Sequence, residues 1–277
     1  MSDRPLLASL ARASLLTACT EPTEGPLARI AGAPPRAGPF GATAPPRGGT
    51  AALADPPRDR MGTALRQHLA ALRSRLPPGR AFTVFVEPLF AVVGDGPAES
   101  VRRFAERTVR WAVRWLKHAF FARDPVRVLE IWLFDGDESY RRGAREIFGD
   151  EVSTPFGCFS AAHGALVMNI ATGGGTLVHE IVHPHMAENF PDCPAWFSEG
   201  LASLHEQSSE RDGGIVGLVN WRLRGLVDAI RSGRNPSLGS VAGSSTEQFY
   251  RPGSELRHAT ARHLLYWPQE RGSPRAF

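Results

Sequence analysis

The chain has 277 residues, of which 42% are hydrophobic and 22% are charged, a composition typical of a folded domain rather than of a disordered chain. No run reaches the roughly 18 apolar residues that a membrane-spanning helix requires, so no transmembrane helix is expected. The formal charge of +4 comes from scattered arginines and a single lysine, Lys117, without a basic run or a basic-aromatic module, which argues against nucleic-acid binding.

The first 60 residues differ in composition from the rest. Residues 1–21 contain an early Arg4, a weakly apolar stretch and the sequence Leu-Thr-Ala-Cys that ends at Cys19. This order resembles a bacterial lipoprotein signal, in which the cysteine is lipidated after cleavage, although Arg12 places a charge inside the apolar region. The alternative is an Ala-rich disordered start with a chance cysteine. The first interpretation predicts a lipid anchor at Cys19 and a cell-envelope or extracytoplasmic location, and the second predicts a cytoplasmic location.

Proline, glycine and alanine dominate residues 21–60. Because proline lacks the N–H that helices and sheets require, we expect a disordered linker there. The predicted organisation is a signal plus linker over residues 1–60, followed by one folded domain over residues 61–277. In that domain Cys158 and Cys193 would form a disulfide in an exported protein, or stay as two buried thiols in the cytoplasm.

The first half of the domain is predicted to alternate helices and strands. Apolar spacing indicates a short helix over 62–76, and Val- and Phe-rich segments indicate strands over 81–95 and 126–134. Asp95 and Pro97 mark the start of a long amphipathic helix between those strands. Its predicted core-facing stripe comprises Val101, Phe104, Thr108, Ala112, Trp115 and Ala119.

The next segments continue this alternation and then become helical. A short helix over 137–149 ends at Gly149, and two strands follow over 156–160 and 164–170. From there to the end the chain is expected to be helical, with one helix over 220–230. Strands first and helices later predict an α+β fold, with a small mixed sheet and a mainly helical C-terminal half.

Residues 173–185, GGGTLVHEIVHPH, carry two histidines four positions apart, His179 and His183. In a helix such positions lie only about 40° apart around the axis, so both imidazoles can bind one Zn²⁺. Glu180 lies about 100° round from His179. It cannot easily bind the same ion, but it can reach a water on that ion, as a metallopeptidase requires.

A second helical segment, AWFSEGLASL, follows and carries Glu199. His-Glu-x-x-His together with Trp-Phe-Ser-Glu-Gly-Leu-Ala resembles the gluzincin metallopeptidases, specifically the Peptidase-MA-like group. The resemblance is specific over residues 173–206 and looser elsewhere. It implies a zincin-like fold and zinc-dependent hydrolysis of peptide bonds, with Glu180 as the catalytic base. The zinc ligands it implies are His179, His183 and Glu199.

Residues 254–272, SELRHATARHLLYWPQERG, are similar to the C-terminal helix of this group. In the group a tyrosine in this helix donates a hydrogen bond to the developing oxyanion. His258 occupies that place here, and a histidine can also donate. We therefore expect His258 to be the oxyanion donor, with Tyr250 and Tyr266 as its rivals. The alternative is that His258 is a surface residue of the helix without a role in the site.

Two further residues are expected beside the zinc site. Ser203, one turn after Glu199, is expected to orient that carboxylate. In gluzincins the strand before the zinc helix runs beside the cleft and pairs with the extended substrate backbone. The resemblance therefore makes Asn169, at the end of the segment ALVMN, a candidate substrate contact.

Local signals also set the expected ends of these helices. Thr176, after three glycines, is the predicted N-cap of the zinc helix. Pro184 directly follows His183 and is predicted to kink or end that helix, because it has no N–H and its ring crowds the preceding turn. Pro268 is predicted to interrupt the last helix for the same reason.

Three functions are compatible with the sequence. The first is an active zinc peptidase acting on peptides or proteins, which the intact Glu180 favours. The second is a zinc-binding but catalytically idle scaffold or binding module, which His258 in place of tyrosine and the short C-terminal part leave open. The third is a chance motif in a structural protein without metal, and Glu199 in its matching context argues against it. Nothing in the sequence distinguishes endopeptidase from exopeptidase activity.

Overall fold

The computed structural model describes residues 58–271, apart from residues 88, 153, 161 and 162. The predicted lipoprotein signal, Cys19 and nearly all of the predicted linker lie outside these residues. The first described helix, α1 (Arg58–Arg75), begins close to the predicted domain start at Met61 and contains most of the helix expected over 62–76.

A five-stranded mixed sheet forms the centre of the first half. Its strands are β1 (Thr83–Glu87), β2 (Phe90–Gly94), β3 (Leu129–Phe134), β4 (Gly157–Ser160) and β5 (Ala165–Asn169). They lie in the order β1-β2-β3-β5-β4. The three central strands are parallel to one another, whereas β1 and β4 run antiparallel at the two edges. The C-terminal end of β5 therefore leads directly from the sheet into the helical half.

The segment 81–95, predicted as one strand, is a hairpin of β1 and β2. Glu87 pairs with Phe90 at its tip, where Leu89 has a positive φ of 77°. That conformation is uncommon for a residue with a side chain, so the apolar composition of this segment concealed the turn.

The long helix α2 runs from Ala98 to Ala119, as predicted. Its middle segment, Ala105–Arg110, is π-helical and joins two α-helical segments, Ala98–Phe104 and Trp111–Ala119. The predicted stripe is correct only in part, because the wider π turn shifts which positions face the core. The buried positions are Val101, Ala105, Val109, Ala112, Trp115 and Leu116, and Ala119 is exposed.

Each face of the sheet has its own apolar core. On one face Val92, Ile131 and Leu166 pack against α2 and the later helices. The other face packs against α1 and a helix α3, which runs through Asp137–Gly143 and Ala144–Phe148. Gly149 ends α3 with a left-handed φ of 69°, as predicted.

The second half is mainly helical, as expected. Its helices are α4 (Gly175–Asn189), α5 (Ala195–Leu204), α6 (Arg222–Arg231), α7 (Leu238–Ala242), α8 (Thr246–Phe249) and α9 (Ser254–Glu270). The helix α9 packs along α5. A hairpin of β6 (Ser208–Arg211) and β7 (Gly214–Gly217) was not predicted from the sequence. Its Asp212-Gly213 turn has φ values of 52° and 75°, and this dipeptide is a strong hairpin signal.

Three expectations about helix ends are wrong. The helix α4 continues through Pro184 to Asn189, because its last turns are fixed by packing. His185 there is fully buried and stacks on Phe121 with ring centroids 5.3 Å apart. Gly174 rather than Thr176 is the N-cap of α4. The helix α9 passes through Pro268 and ends two residues later, so that proline affects only the final turn.

The mixed α+β class is confirmed by this arrangement. None of the described helices is both long enough and apolar enough to cross a membrane. Cys158 lies on β4 and Cys193 lies between α4 and α5, and no disulfide joins them.

Candidate metal centre

The helix α4 presents His179 and His183 side by side, as their spacing predicted. Their rings lie 5.0 Å apart between centroids. Each side chain keeps a small exposed fraction, 12% for His179 and 14% for His183. Both imidazoles therefore line one face of α4 at a position that solvent still reaches.

Glu199 on α5 completes the predicted set of metal ligands. Its Oε2 atom lies 3.2 Å from Nε2 of His179, and its Oε1 atom lies 3.6 Å from Nε2 of His183. A tetrahedral ion with bonds of about 2.1 Å separates its ligand atoms by about 3.4 Å. One ligand atom from each of the three residues lies within 4.8 Å of the other two, so the residues fit a single metal ion.

Close packing between helices brings Glu199 to this point. The next residue, Gly200, faces α9, and a Cβ atom there would lie 3.1 Å from the carbonyl oxygen of Ala261. A larger residue would hold α5 and α9 further apart. The glycine thus allows the two helices to approach at the level of the site.

Burial and neighbouring groups shift the pKa values of all three residues. Burial alone would raise the pKa of Glu199, but interactions with His183, His179 and His258 hold that pKa well below its usual value. Burial lowers the pKa of His183. Burial would also lower the pKa of His179, but hydrogen bonds with Glu199 and Glu206 raise it to about 10. A metal ion would therefore displace a proton from His179.

Both histidines are oriented through their second ring nitrogen. Nδ1 of His183 lies 3.2 Å from Oγ of Ser198, and Nδ1 of His179 lies 3.2 Å from Oε1 of Glu206. A partner on Nδ1 fixes the ring and leaves Nε2 as the ligand atom, the arrangement typical of metal-binding histidines. The sequence expectation named neither Ser198 nor Glu206.

Glu206 belongs to a buried network behind His179. Nε and Nη2 of Arg222 donate to its two carboxylate oxygens at 2.8 and 2.6 Å, and Nδ2 of Asn220 donates at 3.1 Å. Burial would raise the pKa of Glu206, but hydrogen bonds with Arg222 and His179 lower it to about 2. Gly175, at the start of α4, lies so close that a Cβ there would be 2.3 Å from the Glu206 carbonyl oxygen.

Ser203 does not orient Glu199, contrary to expectation. It is fully buried, and its Oγ atom has no hydrogen-bond partner in the part of the chain that the structure describes. Its carbonyl oxygen accepts a hydrogen bond from Nε of Arg262 at 2.9 Å. Ser203 lies one helical turn from Glu199, as the spacing required, but the groups that contact that carboxylate come from other elements.

The position of Asn169 also differs from the expectation. It is 3% exposed, its Nδ2 donates to the carbonyl of Pro155 at 2.8 Å, and its Oδ1 accepts from the backbone N–H of Ala171 at 3.2 Å. Its strand, β5, has β3 on one side and β4 on the other. Both edges of β5 are therefore occupied, and Asn169 ends the strand instead of facing a cleft.

Glu180 lies next to His179, as predicted, and is 8% exposed. No hydrogen bond or ion pair engages its carboxylate among the described residues. Its negative charge acts on His183, where it favours the protonated form. A carboxylate that is close to the ligand histidines and has no other partner is available to accept a proton.

His258 reaches the site from α9, and Tyr250 reaches it from the end of α8. Nε2 of His258 lies 3.2 Å from Oε2 of Glu199, and the hydroxyl of Tyr250 donates to Oε1 at 2.5 Å. The side chain of His258 is 14% exposed, so it is not a surface residue. Tyr266 lies two turns further along α9, where its ring meets Arg262 and His263 instead.

Some residues of the site were not predicted from the sequence, because no local pattern connects them to the histidines. Glu206 lies two residues beyond the end of α5 at Leu204, so helical spacing from Glu199 did not indicate it. Arg222 reaches the site through the tertiary fold, and no local spacing connects it to the histidines. Tyr250 was named from the sequence only as a rival oxyanion donor, and its contact with Glu199 was not predicted.

No protein-family model matches the sequence, and no curated protein matches it at a significant level. The family resemblance therefore depends on the motif residues alone.

Proposed function

We propose that the chain is a zinc-dependent peptidase with a zincin-like arrangement, in which His179, His183 and Glu199 hold Zn²⁺. The observation that carries this proposal is the convergence of three ligand atoms within 4.8 Å of one another beside the unengaged carboxylate of Glu180. Two imidazole nitrogens and one carboxylate oxygen are a donor set that zinc favours, and three protein ligands leave a position open for reactants.

Glu180 is the general base of this mechanism. A zinc ion held by the three ligands would supply a Lewis acid that polarises the scissile carbonyl and makes the attacking water more acidic. Glu180 accepts a proton from the attacking water and passes it to the leaving amine. Because no other group engages its carboxylate in the described part of the chain, Glu180 can carry the proton in both steps.

His258 supplies the hydrogen bond to the developing oxyanion. Its Nδ1 lies 2.8 Å from the carbonyl oxygen of Ser254, and a carbonyl can only accept, so Nδ1 carries a proton. With Nδ1 protonated, Nε2 faces the site and donates to an oxygen that gains negative charge in the transition state when the ring is an imidazolium, which carries a hydrogen on both nitrogens. The tyrosine expected at this place in the family is thereby replaced in function by an imidazole.

The substrate is a peptide or protein in extended conformation. It would pair with β4 (Gly157–Ser160), which runs antiparallel to β5 at the sheet edge. The outer side of β4 has no strand partner among the described residues, and an open edge can accept a peptide as an added strand. This assigns to β4 the role that the sequence expectation had given to β5. The lipid anchor at Cys19 and a cell-envelope location stay predictions.

Cleavage of a peptide mixture by the purified full-length chain tests the proposal. We expect products that appear with zinc, disappear after removal of the metal with a chelator, and return when zinc is restored. A zinc-loaded chain that leaves every peptide intact would contradict the proposal and favour the idle zinc-binding scaffold.

A further inference from the structure

Two side chains contact the Glu199 carboxylate in addition to His179 and His183. The hydroxyl of Tyr250 contacts Oε1 at 2.5 Å, and Nε2 of His258 lies 3.2 Å from Oε2. Each oxygen also faces one histidine of the metal centre, His183 at Oε1 and His179 at Oε2. Both oxygens are therefore fixed in direction by a group outside the metal-binding set.

Dedicated contacts place Tyr250 at this position. The short helix α8 begins with a reciprocal capping box between Ser245 and Gln248, which fixes the turn that leads to Tyr250. Nε of Arg257 then donates to the carbonyl of Phe249 at 2.6 Å, and its guanidinium also donates to the carbonyl of Arg251. The carbonyl groups of the residues before and after Tyr250 are thus held by one side chain of α9.

The same side chain couples Tyr250 to His258. Arg257 directly precedes His258 in α9, and the rings of Tyr250 and His258 lie 6.1 Å apart between centroids. Phe249 packs against both rings, at 5.5 Å from Tyr250 and 4.8 Å from His258. Tyr250 and His258 therefore approach Glu199 as parts of one packed unit.

The number of available hydrogens separates the roles of the two donors. A phenol has one hydrogen to donate, and that of Tyr250 is committed to Glu199. The Nδ1 atom of His258 donates to the Ser254 carbonyl, so Nε2 carries a hydrogen as well only in the doubly protonated ring. The Tyr250 hydroxyl is a donor to Glu199 in either protonation state of His258.

We infer that Tyr250 is a positioning residue of the metal centre, whose hydroxyl holds Glu199 in the orientation that binds the ion. It is not the oxyanion donor, and that role stays with His258. The inference rests on the proposed function only in taking Glu199 as a metal ligand. It follows that Tyr250 and His258 have different roles. Loss of the Tyr250 hydroxyl weakens metal binding, and loss of the His258 imidazole weakens turnover.

Competition of the full-length chain with a chromophoric chelator for zinc tests this inference. Tyr250→Phe removes one oxygen atom and should weaken zinc binding by about 10- to 100-fold, the range for groups that orient a metal ligand. His258→Phe should weaken zinc binding less than Tyr250→Phe, because Nε2 of His258 lies 3.2 Å from Oε2 whereas the Tyr250 hydroxyl contacts Oε1 at 2.5 Å. Tyr266→Phe, a matched loss of a tyrosine hydroxyl on α9, should leave zinc affinity within about twofold. Circular dichroism of each metal-free variant checks that the fold is retained.

Arg257→Gln provides an independent variant, because it releases the backbone around Tyr250 without changing the tyrosine. It should weaken zinc binding in the same direction, but less than Tyr250→Phe. The inference is overturned if Tyr250→Phe binds zinc as tightly as Tyr266→Phe, or if His258→Phe loses as much affinity as Tyr250→Phe. It is also overturned if the wild-type chain binds no zinc. A chain that binds zinc but cleaves no peptide would contradict the proposed peptidase activity. The positioning role of Tyr250 would then be decided by the zinc affinities of Tyr250→Phe and Tyr266→Phe.

Discussion

Oε1 of Glu206 lies 3.2 Å from Nδ1 of His179, while the same carboxylate receives two hydrogen bonds from Arg222. The first ligand histidine is thereby connected through a buried carboxylate to an arginine at the start of α6. A carboxylate on the second nitrogen of a metal-binding histidine fixes the ring and increases its basicity. The candidate metal centre therefore includes residues beyond the three proposed ligands.

Glu206→Gln should weaken zinc binding by about 10- to 100-fold, because the amide keeps the shape of the side chain and loses its charge. Isothermal titration of the metal-free chain measures this change. Glu138→Gln is the matched control, since Glu138 is 92% exposed on α3 and its loss should leave zinc affinity unchanged. Equal affinities for the two variants would show that the carboxylate behind His179 does not support the metal.

Glu180→Gln should reduce kcat by about 100- to 10,000-fold, because an amide cannot accept the proton from the attacking water. Zinc content should stay at the wild-type level, since Glu180 makes no contact with Glu199 in the described structure. Initial rates on a fluorogenic peptide, together with metal analysis of the same sample, separate the two effects. Wild-type turnover in this variant would remove Glu180 from the mechanism.

Gly175→Ala should lower the free energy of unfolding by about 1–3 kcal/mol, because overpacking against a fixed backbone forces a shift. The new Cβ would lie 2.3 Å from the carbonyl oxygen of Glu206, so α4 and the Glu206 backbone must separate. Gly225→Ala in α6 is the control, since a Cβ there meets nothing within 4 Å. It should raise stability by about 0.5–1 kcal/mol through helix propensity. Urea unfolding compares the two variants, and equal stabilities would contradict the close approach.

His205 should make the protein less stable in acid. Its ring is fully buried, and burial together with the charge of Arg262 lowers its pKa to about 3. In the unfolded chain the pKa returns to about 6.5, so between these values the unfolded state binds a proton that the folded state does not. Stability is therefore lost as the pH falls from about 6.5 toward 3, by up to about 4 kcal/mol.

His205→Leu should flatten this dependence, because leucine has no proton to bind. Urea unfolding at several pH values between about 4 and 7, which cover most of the window between the two pKa values, measures for each chain how steeply the free energy of unfolding changes with pH. His118→Leu on the exposed side of α2 serves as the control. A slope in His205→Leu as steep as in the wild type would mean that other groups cause the acid sensitivity.

Helical spacing was sufficient to predict the parts of the site that are close in sequence. His179 and His183 share a face because they are four positions apart, and the segment Ala195–Leu204 was predicted to be the helix that carries Glu199. Buried strands were predicted from apolar composition, but the turn at Leu89 was hidden because no glycine or asparagine marks its positive φ. The helix break expected at Pro184 failed because packing of buried His185 outweighs one lost hydrogen bond.

Contacts between distant segments could not be predicted from spacing. Tyr250 reaches Glu199 across 51 positions of the chain, and Arg222 reaches Glu206 only because a hairpin and a turn bring α6 back to the site. Asn169 and Ser203 lie in the strand and the helix in which they were expected. Their side-chain surroundings are set by residues elsewhere in the fold, which a local sequence pattern does not show. The sequence therefore indicated the ligands and the base, and the tertiary structure added the groups that orient them.

The most direct test of the account is the zinc content of the purified full-length chain, measured beside Glu199→Ala. We expect about one zinc ion per molecule, because one set of three ligands holds one ion, and a loss or marked weakening of zinc binding in Glu199→Ala. A wild-type chain that takes up no zinc after exposure to the metal, or a Glu199→Ala variant that binds zinc as tightly as the wild type, would contradict the assignment of His179, His183 and Glu199 as a metal centre.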